Sequence, residues 1–106
     1  MTLERNFQSN VIKEIKRRLP GCYVLKNDPN YIQGIPDLTV LYKDRWGMLE
    51  VKKNASANHR PNQDHYVAQM NHDSFAAFIY PENKDYILDA LQKHLTGSDI
   101  LTEVAA

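Results

Sequence analysis

The chain has 106 residues, 42% of them hydrophobic and 25% charged, with 13 Lys and Arg balanced by 13 Asp and Glu. That length suits one domain, no apolar run approaches the roughly eighteen residues of a membrane span, and zero net charge argues against a protein that coats nucleic acid non-specifically. A lone cysteine, Cys22, excludes an internal disulfide and a cysteine zinc site, and it reads as a small buried apolar residue in a reducing cytoplasm.

Charge is unevenly spread. Residues 1–26 hold six Lys or Arg against two Glu, and residues 71–106 hold two Lys against six acids. A basic front of this kind lets one face meet phosphates, although uneven surface charge is an equally simple reading. The first ten residues, MTLERNFQSN, are too polar for a secretory signal.

Residues 2–19 are expected to form a helix, with Thr2 as N-cap and Pro20-Gly21 as the stop. Leu3, Phe7, Val11, Ile12, Ile15 and Leu19 share one arc of it. A short strand at 22–26 and a loop rich in turn formers at 27–36 follow. A hairpin then spans about 37–53, with Trp46 in its turn, KDRWG. After a polar loop, Pro61 suits the first turn of a second helix that carries Tyr66, Val67 and Met70 on one side. SFAAFIY at 74–80 is apolar on both faces, as expected of a central strand covered on both sides, and Pro81 ends it. The last helix, 82–95, turns Ile87, Leu88, Leu91 and Leu95 inward and is capped by Gly97. The domain is expected to occupy 1–97, leaving 98–106, with Ile100, Leu101 and Val104, as a candidate interface tail. The expected order is α-β-β-β-α-β-α, an α/β fold.

Within the hairpin, the apolar pattern predicts a register. Pairing Val40 with Leu49 and Leu38 with Val51 turns both apolar sets to one core. The other face then carries Asp37, Glu50 and Lys52, with Asp37 across from Lys52 and Glu50 its diagonal neighbour, β-carbons roughly 7–8 Å apart. Two carboxylates at that spacing can share a hard divalent cation such as Mg²⁺, with waters and a substrate phosphate completing the shell. Lys52 beside it can position a water or stabilise charge building on the phosphorus. A solvated strand face with an Asp–Lys pair is the ordinary alternative. Glu4 lies near the centre of the first helix's apolar arc, where it either snorkels from the helix end or faces something that needs a carboxylate; Glu14 lies well off that centre. Gln63 shares a side with Tyr66, Val67 and Met70 and is either a boundary polar residue or a ligand for a water or phosphate.

GIPD followed by LEVKK resembles the PD-(D/E)xK nuclease superfamily: PD stands at Pro36-Asp37 and ExK at Glu50-Val51-Lys52. Over about residues 3–95 the chain is similar to the small stand-alone VRR-NUC domains common in phages and to archaeal-type Holliday junction resolvases. That resemblance implies a restriction-endonuclease-like αβββαβ core, a four-stranded mixed sheet flanked by helices. It also implies a Mg²⁺-dependent endonuclease, with Mn²⁺ able to substitute, that cuts branched DNA at junctions or flaps. Asp37, Glu50 and the backbone carbonyl of Val51 would bind the metal, with Glu4 supporting it. Lys52 would orient the attacking water and Gln63 would help place Lys52 or the phosphate. Resolvase-like relatives are homodimers, and the candidate phosphate contacts are Lys16, Arg17, Arg18, Lys26, Lys53 and Arg60. No small-molecule cofactor and no membrane partner is expected. The alternative is a catalytically silent nuclease fold that binds nucleic acid or a replication protein. His59, His65, His72 and His94 lack zinc-site spacing, and the four glycines form no phosphate-binding loop.

Overall fold

The computed structural model describes residues 3–97; the Thr2 cap and the 98–106 tail lie outside the described residues. Seven elements follow in the expected order: α1 (Leu3–Arg18), β1 (Tyr23–Lys26), β2 (Leu38–Tyr42), β3 (Arg45–Val51), α2 (Gln63–Asp73), β4 (Ala76–Ile79) and α3 (Lys84–Thr96). The strands form one mixed sheet in the order β1-β2-β3-β4. The first three are antiparallel, and α2 is the crossover that returns the chain parallel to β3. No helix among the described residues is long and apolar enough to cross a membrane.

Alternation along the strands divides the core in two. Leu38, Val40, Leu49, Val51 and Ile79 face α1 and α3, where they meet Val11, Ile15, Leu19, Leu88 and Leu91. Ile87, Leu88, Leu91 and Leu95 of α3 all turn inward, and Gly97 caps that helix with φ 76°. The opposite face is covered more thinly by α2, through Val67 against Met48 and Ala76, with Met70 and Phe78 packed around them.

Five expectations change. The hairpin is slipped by two residues: Leu38 faces Leu49 and Val40 faces Gly47, because Tyr42 pairs directly with Arg45 across a two-residue turn. Trp46 therefore lies within β3, not in the turn, and packs on the Met48 cluster. At Gly47 a β-carbon would sit 2.6 Å from Leu91 Cδ1, so the missing side chain lets α3 approach the sheet. Strand β4 is an edge, not a centre; it is apolar on both faces because helices cover both. Pro61 precedes α2 instead of opening it, with Asn62 between them at φ 71°. Leu3 is 78% exposed, so the apolar arc of α1 is buried only from its second turn onward.

Candidate active site

Asp37 is the last residue before β2. Extending the β2–β3 register by one step sets it opposite Glu50, not Lys52. Its own backbone turns the other way, toward β1, where its carbonyl accepts the Asn27 N–H at 2.8 Å. Asp37 and Glu50 are thus a non-hydrogen-bonded antiparallel pair, the kind whose α-carbons approach to roughly 4.5 Å. The expected diagonal contact is a direct one, and the two carboxyl groups lie within hydrogen-bonding reach of each other. Asp37 Oδ2 accepts the Val51 N–H at 2.9 Å. The neighbouring Lys52 N–H is given to Ile79 O on β4, so by strand alternation the Val51 carbonyl also points to the β2 side, where Asp37 stands.

The buried polar side chains among the described residues are Glu50, Lys52 and Gln63, at 3%, 6% and 7% exposure. They are wired together. Gln63 Nε2 donates to Glu50 Oε2 at 2.9 Å, and Lys52 Nζ donates to Gln63 Oε1 at 2.8 Å and to Asn58 O at 3.1 Å. The Arg60 N–H also donates to Gln63 Oε1, at 2.7 Å, which fixes the amide's orientation. Lys52 Nζ lies 3.6 Å from Glu50 Oε2. Glu50 Oε1, in contrast, is buried without a hydrogen-bond partner among the described residues.

This arrangement perturbs both acids. Burial, then the charge of Asp37, pushes the Glu50 carboxyl up to about 8, against the pull of Lys52. Burial also raises Asp37, opposed first by the Val51 N–H and then by Glu50, Lys52 and Arg60. Of the two, Glu50 is therefore the carboxyl favoured to keep a proton at neutral pH.

Above the pair opens a cleft of about 1010 Å³, walled by the 29–35 loop and the 57–63 segment. Glu4, from the first turn of α1, lines this cleft as an exposed rim residue, and no three His, Cys, Asp or Glu side chains converge among the described residues. Of the basic candidates, Lys53 and Arg60 line the cleft. Arg17 and Arg18 are engaged by Glu14 at 2.5 and 2.9 Å, and Arg18 also reaches Asp89 of α3 at 2.7 Å. Those guanidiniums, Arg17 first, hold the Glu14 carboxyl down at about 2. Lys16 and Lys26 stand at the ends of α1 and β1, apart from the cleft walls.

Three supporting contacts escaped sequence reasoning. Asn27 clamps the segment before β2, its Nδ2 donating to Pro36 O at 2.8 Å and Thr39 Oγ1 at 2.9 Å. His59 stacks on Phe78 at 4.0 Å and bonds Asp64 at 2.6 Å, which seats the 54–62 loop over β4. Gly34, at φ 89°, touches the start of α2: a β-carbon there would lie 2.6 Å from Asn62 Cβ and 2.9 Å from Pro61 O. Only glycine lets these two loops meet, and they deliver Asp37 and Gln63. Gly34→Ala is expected to cost about 1–3 kcal/mol from backbone strain and overlap, read as a lower melting temperature.

No protein-family model matches the chain, and no curated protein sequence does either.

Proposed function

We propose that the protein is a divalent-cation-dependent endodeoxyribonuclease of the PD-(D/E)xK type, kin to VRR-NUC domains and junction resolvases. The observation that carries this reading is Glu50: a buried carboxyl whose Oε1 accepts from no N–H or O–H donor of the described residues, directly beside the Asp37 carboxyl. An orphaned buried acceptor costs about 1–3 kcal/mol, more if charged, and a cation is the natural partner for two adjacent carboxylates. The donor set fits a hard ion. Asp37, Glu50 and the Val51 carbonyl offer oxygens only, and the open cleft leaves room for the waters that Mg²⁺ retains. When bound, Mg²⁺ or Mn²⁺ would polarise a phosphodiester and acidify a water.

The chain's own residues supply the rest. Glu50 would release its proton to solvent, so that it and Asp37 face the cation as paired anions. Gln63 and the Asn58 carbonyl hold the Lys52 ammonium at one place on the cleft floor, where its remaining proton can be directed at the attacking water or at a phosphate oxygen. Lys53 and Arg60 draw the DNA backbone toward the carboxylates, whose own charge would otherwise repel it. From the likeness to resolvases we take a homodimer that cuts branched DNA, at junctions or flaps, in the cytoplasm of a bacterium or of a phage-infected host.

The direct test compares wild type with Asp37→Ala on junction, flap, duplex and single-stranded DNA in Mg²⁺. Cutting that falls by about 10³-fold or more in the variant is expected, since metal-based charge stabilisation supplies several kcal/mol. Equal residual cutting by both proteins means contamination and contradicts the proposal. Tight DNA binding by wild type with no cutting in either metal identifies a silent module instead.

A further inference from the structure

The 28–35 loop separates two hollows. One is the cleft over Asp37 and Glu50; the other is a cavity of about 420 Å³ lined by Asn27, Asp28, Tyr31, Ile32, Ile35 and Met48. Ile35 belongs to both walls. On the Tyr31 side of this cavity Tyr31 is 85% exposed and Ile32 37%, on a loop pinned by its own hydrogen bonds. The Tyr31 N–H donates to Asp28 O at 3.1 Å, the Asn30 N–H to Asp28 Oδ1 at 2.8 Å, and the Ile35 N–H to Ile32 O at 3.2 Å. A tyrosine held this way contributes little burial to folding, and its ring face is open beside the cavity.

We infer that this cavity takes an unpaired nucleobase of the DNA strand whose phosphodiester lies at Asp37 and Glu50, with the base stacked on Tyr31. The inference rests on the nuclease reading above and names the substrate class of that site. Three features select this occupant. The walls are an aromatic ring and aliphatic or thioether side chains, which suit the flat face of a base. The Asp28 carboxylate at the rim disfavours a phosphate, so the base enters and the backbone stays outside. The two hollows also adjoin: Ile35 walls both and stands two residues before Asp37. A strand whose phosphodiester lies at Asp37 and Glu50 can thus offer a neighbouring nucleotide to the cavity. A base locked in a duplex cannot enter, so the cavity favours DNA with a splayed or flapped nucleotide.

The test uses the full chain with two DNAs of the same sequence, one a flush duplex and one a fork, with 2-aminopurine at the first unpaired position. Binding is measured in Ca²⁺ and cutting in Mg²⁺ and Mn²⁺, for wild type, Tyr31→Ala and Tyr31→Phe. Wild type and Tyr31→Phe are expected to prefer the fork by about tenfold, the scale of one stacked base, and to quench the 2-aminopurine. Tyr31→Ala should lose both the preference and the quenching, keep its affinity for flush duplex, and melt at the wild-type temperature. An unchanged fork preference in Tyr31→Ala overturns the inference. So does a sedimentation shift from dimer to monomer in that variant with no change in DNA preference, which would make the patch a self-association surface. If wild type shows the Tyr31-dependent preference but cuts nothing in either metal, the nuclease reading fails and the base site stands. If all three proteins cut fork and duplex alike, the base site fails and the nuclease reading stands.

Discussion

Glu50→Gln is expected to abolish metal-dependent cutting while making the metal-free protein more stable above neutral pH. The two effects have one origin. In the folded chain the Glu50 carboxyl is held up to about 8 by burial and by Asp37, whereas unfolded it titrates at an ordinary glutamate value of about 4.3. Between those values the folded state binds the extra proton, so stability falls as pH rises through the window and the full cost is reached above the folded pKa. That cost is on the order of several kcal/mol. Glutamine copies the protonated acid: its oxygen can accept from Gln63 Nε2 and its amide can donate to Asp37. With a chelator present, the melting-temperature gap between wild type and Glu50→Gln should be smallest near pH 4, below the unfolded value, and widen up to pH 8.5, the variant higher. Cutting should drop by about 10³-fold or more, because the neutral amide is a poor partner for a hard cation. A variant that melts well below wild type at pH 8.5 would instead make Glu50 a structural counter-ion for Lys52.

Lys52→Met carries the second large effect, and it separates Lys52 from the carboxylates. Methionine replaces the buried stem but removes the ammonium that donates to Gln63 Oε1 and Asn58 O. Turnover should fall by about 10²–10³-fold, the usual loss when one donor to a developing charge is removed. Mn²⁺ affinity should change little, since Lys52 offers no lone pair when charged. Stability should fall by about 1–3 kcal/mol, because the Asn58 carbonyl loses its Lys52 donor, Gln63 Oε1 keeps only the Arg60 N–H, and buried Glu50 loses its nearby cation. Lys52→Arg should not restore turnover: a planar fork cannot take the place of a compact point charge between Gln63 and Asn58. Turnover that survives in Lys52→Met would leave Lys52 with packing and charge balance as its only roles.

Much of this architecture is legible in the amino-acid order. The alternation of Leu38, Val40, Leu49 and Val51 identifies the core face, and it survives a two-residue slip because side-chain direction repeats every two residues. For the same reason alternation cannot detect the slip. Register is decided by the two-residue turn after Tyr42 and by Gly47, which receives Leu91, and neither announces itself as a hydrophobic residue would. The slip matters chemically because it changes Asp37's partner from Lys52 to Glu50. Apolar character on both faces of β4 reports covering helices and says nothing about position in the sheet. Helical periodicity placed Glu4 among apolar neighbours, yet at the start of α1 Leu3 is 78% exposed and burial begins only at Phe7, so Glu4 stays on the cleft rim. What lay beyond sequence reasoning is made mostly of backbone: the Asn58 carbonyl beneath Lys52, the Pro36 carbonyl held by Asn27, and the close approach of Gly34 to Asn62. Such contacts depend on which loops meet, and loop residues carry no periodic pattern that would foretell it.

The central claim is that Asp37 and Glu50 form a cation site that is protonated when empty. Uptake of Mn²⁺ by the wild-type protein near pH 7, followed by loss of the free-ion paramagnetic resonance signal together with the protons released, tests it most directly. The account predicts saturable uptake with close to one proton released per site, and loss of both uptake and release in Glu50→Gln. Saturable uptake in wild type without proton release, or equal uptake by the two proteins, would contradict it.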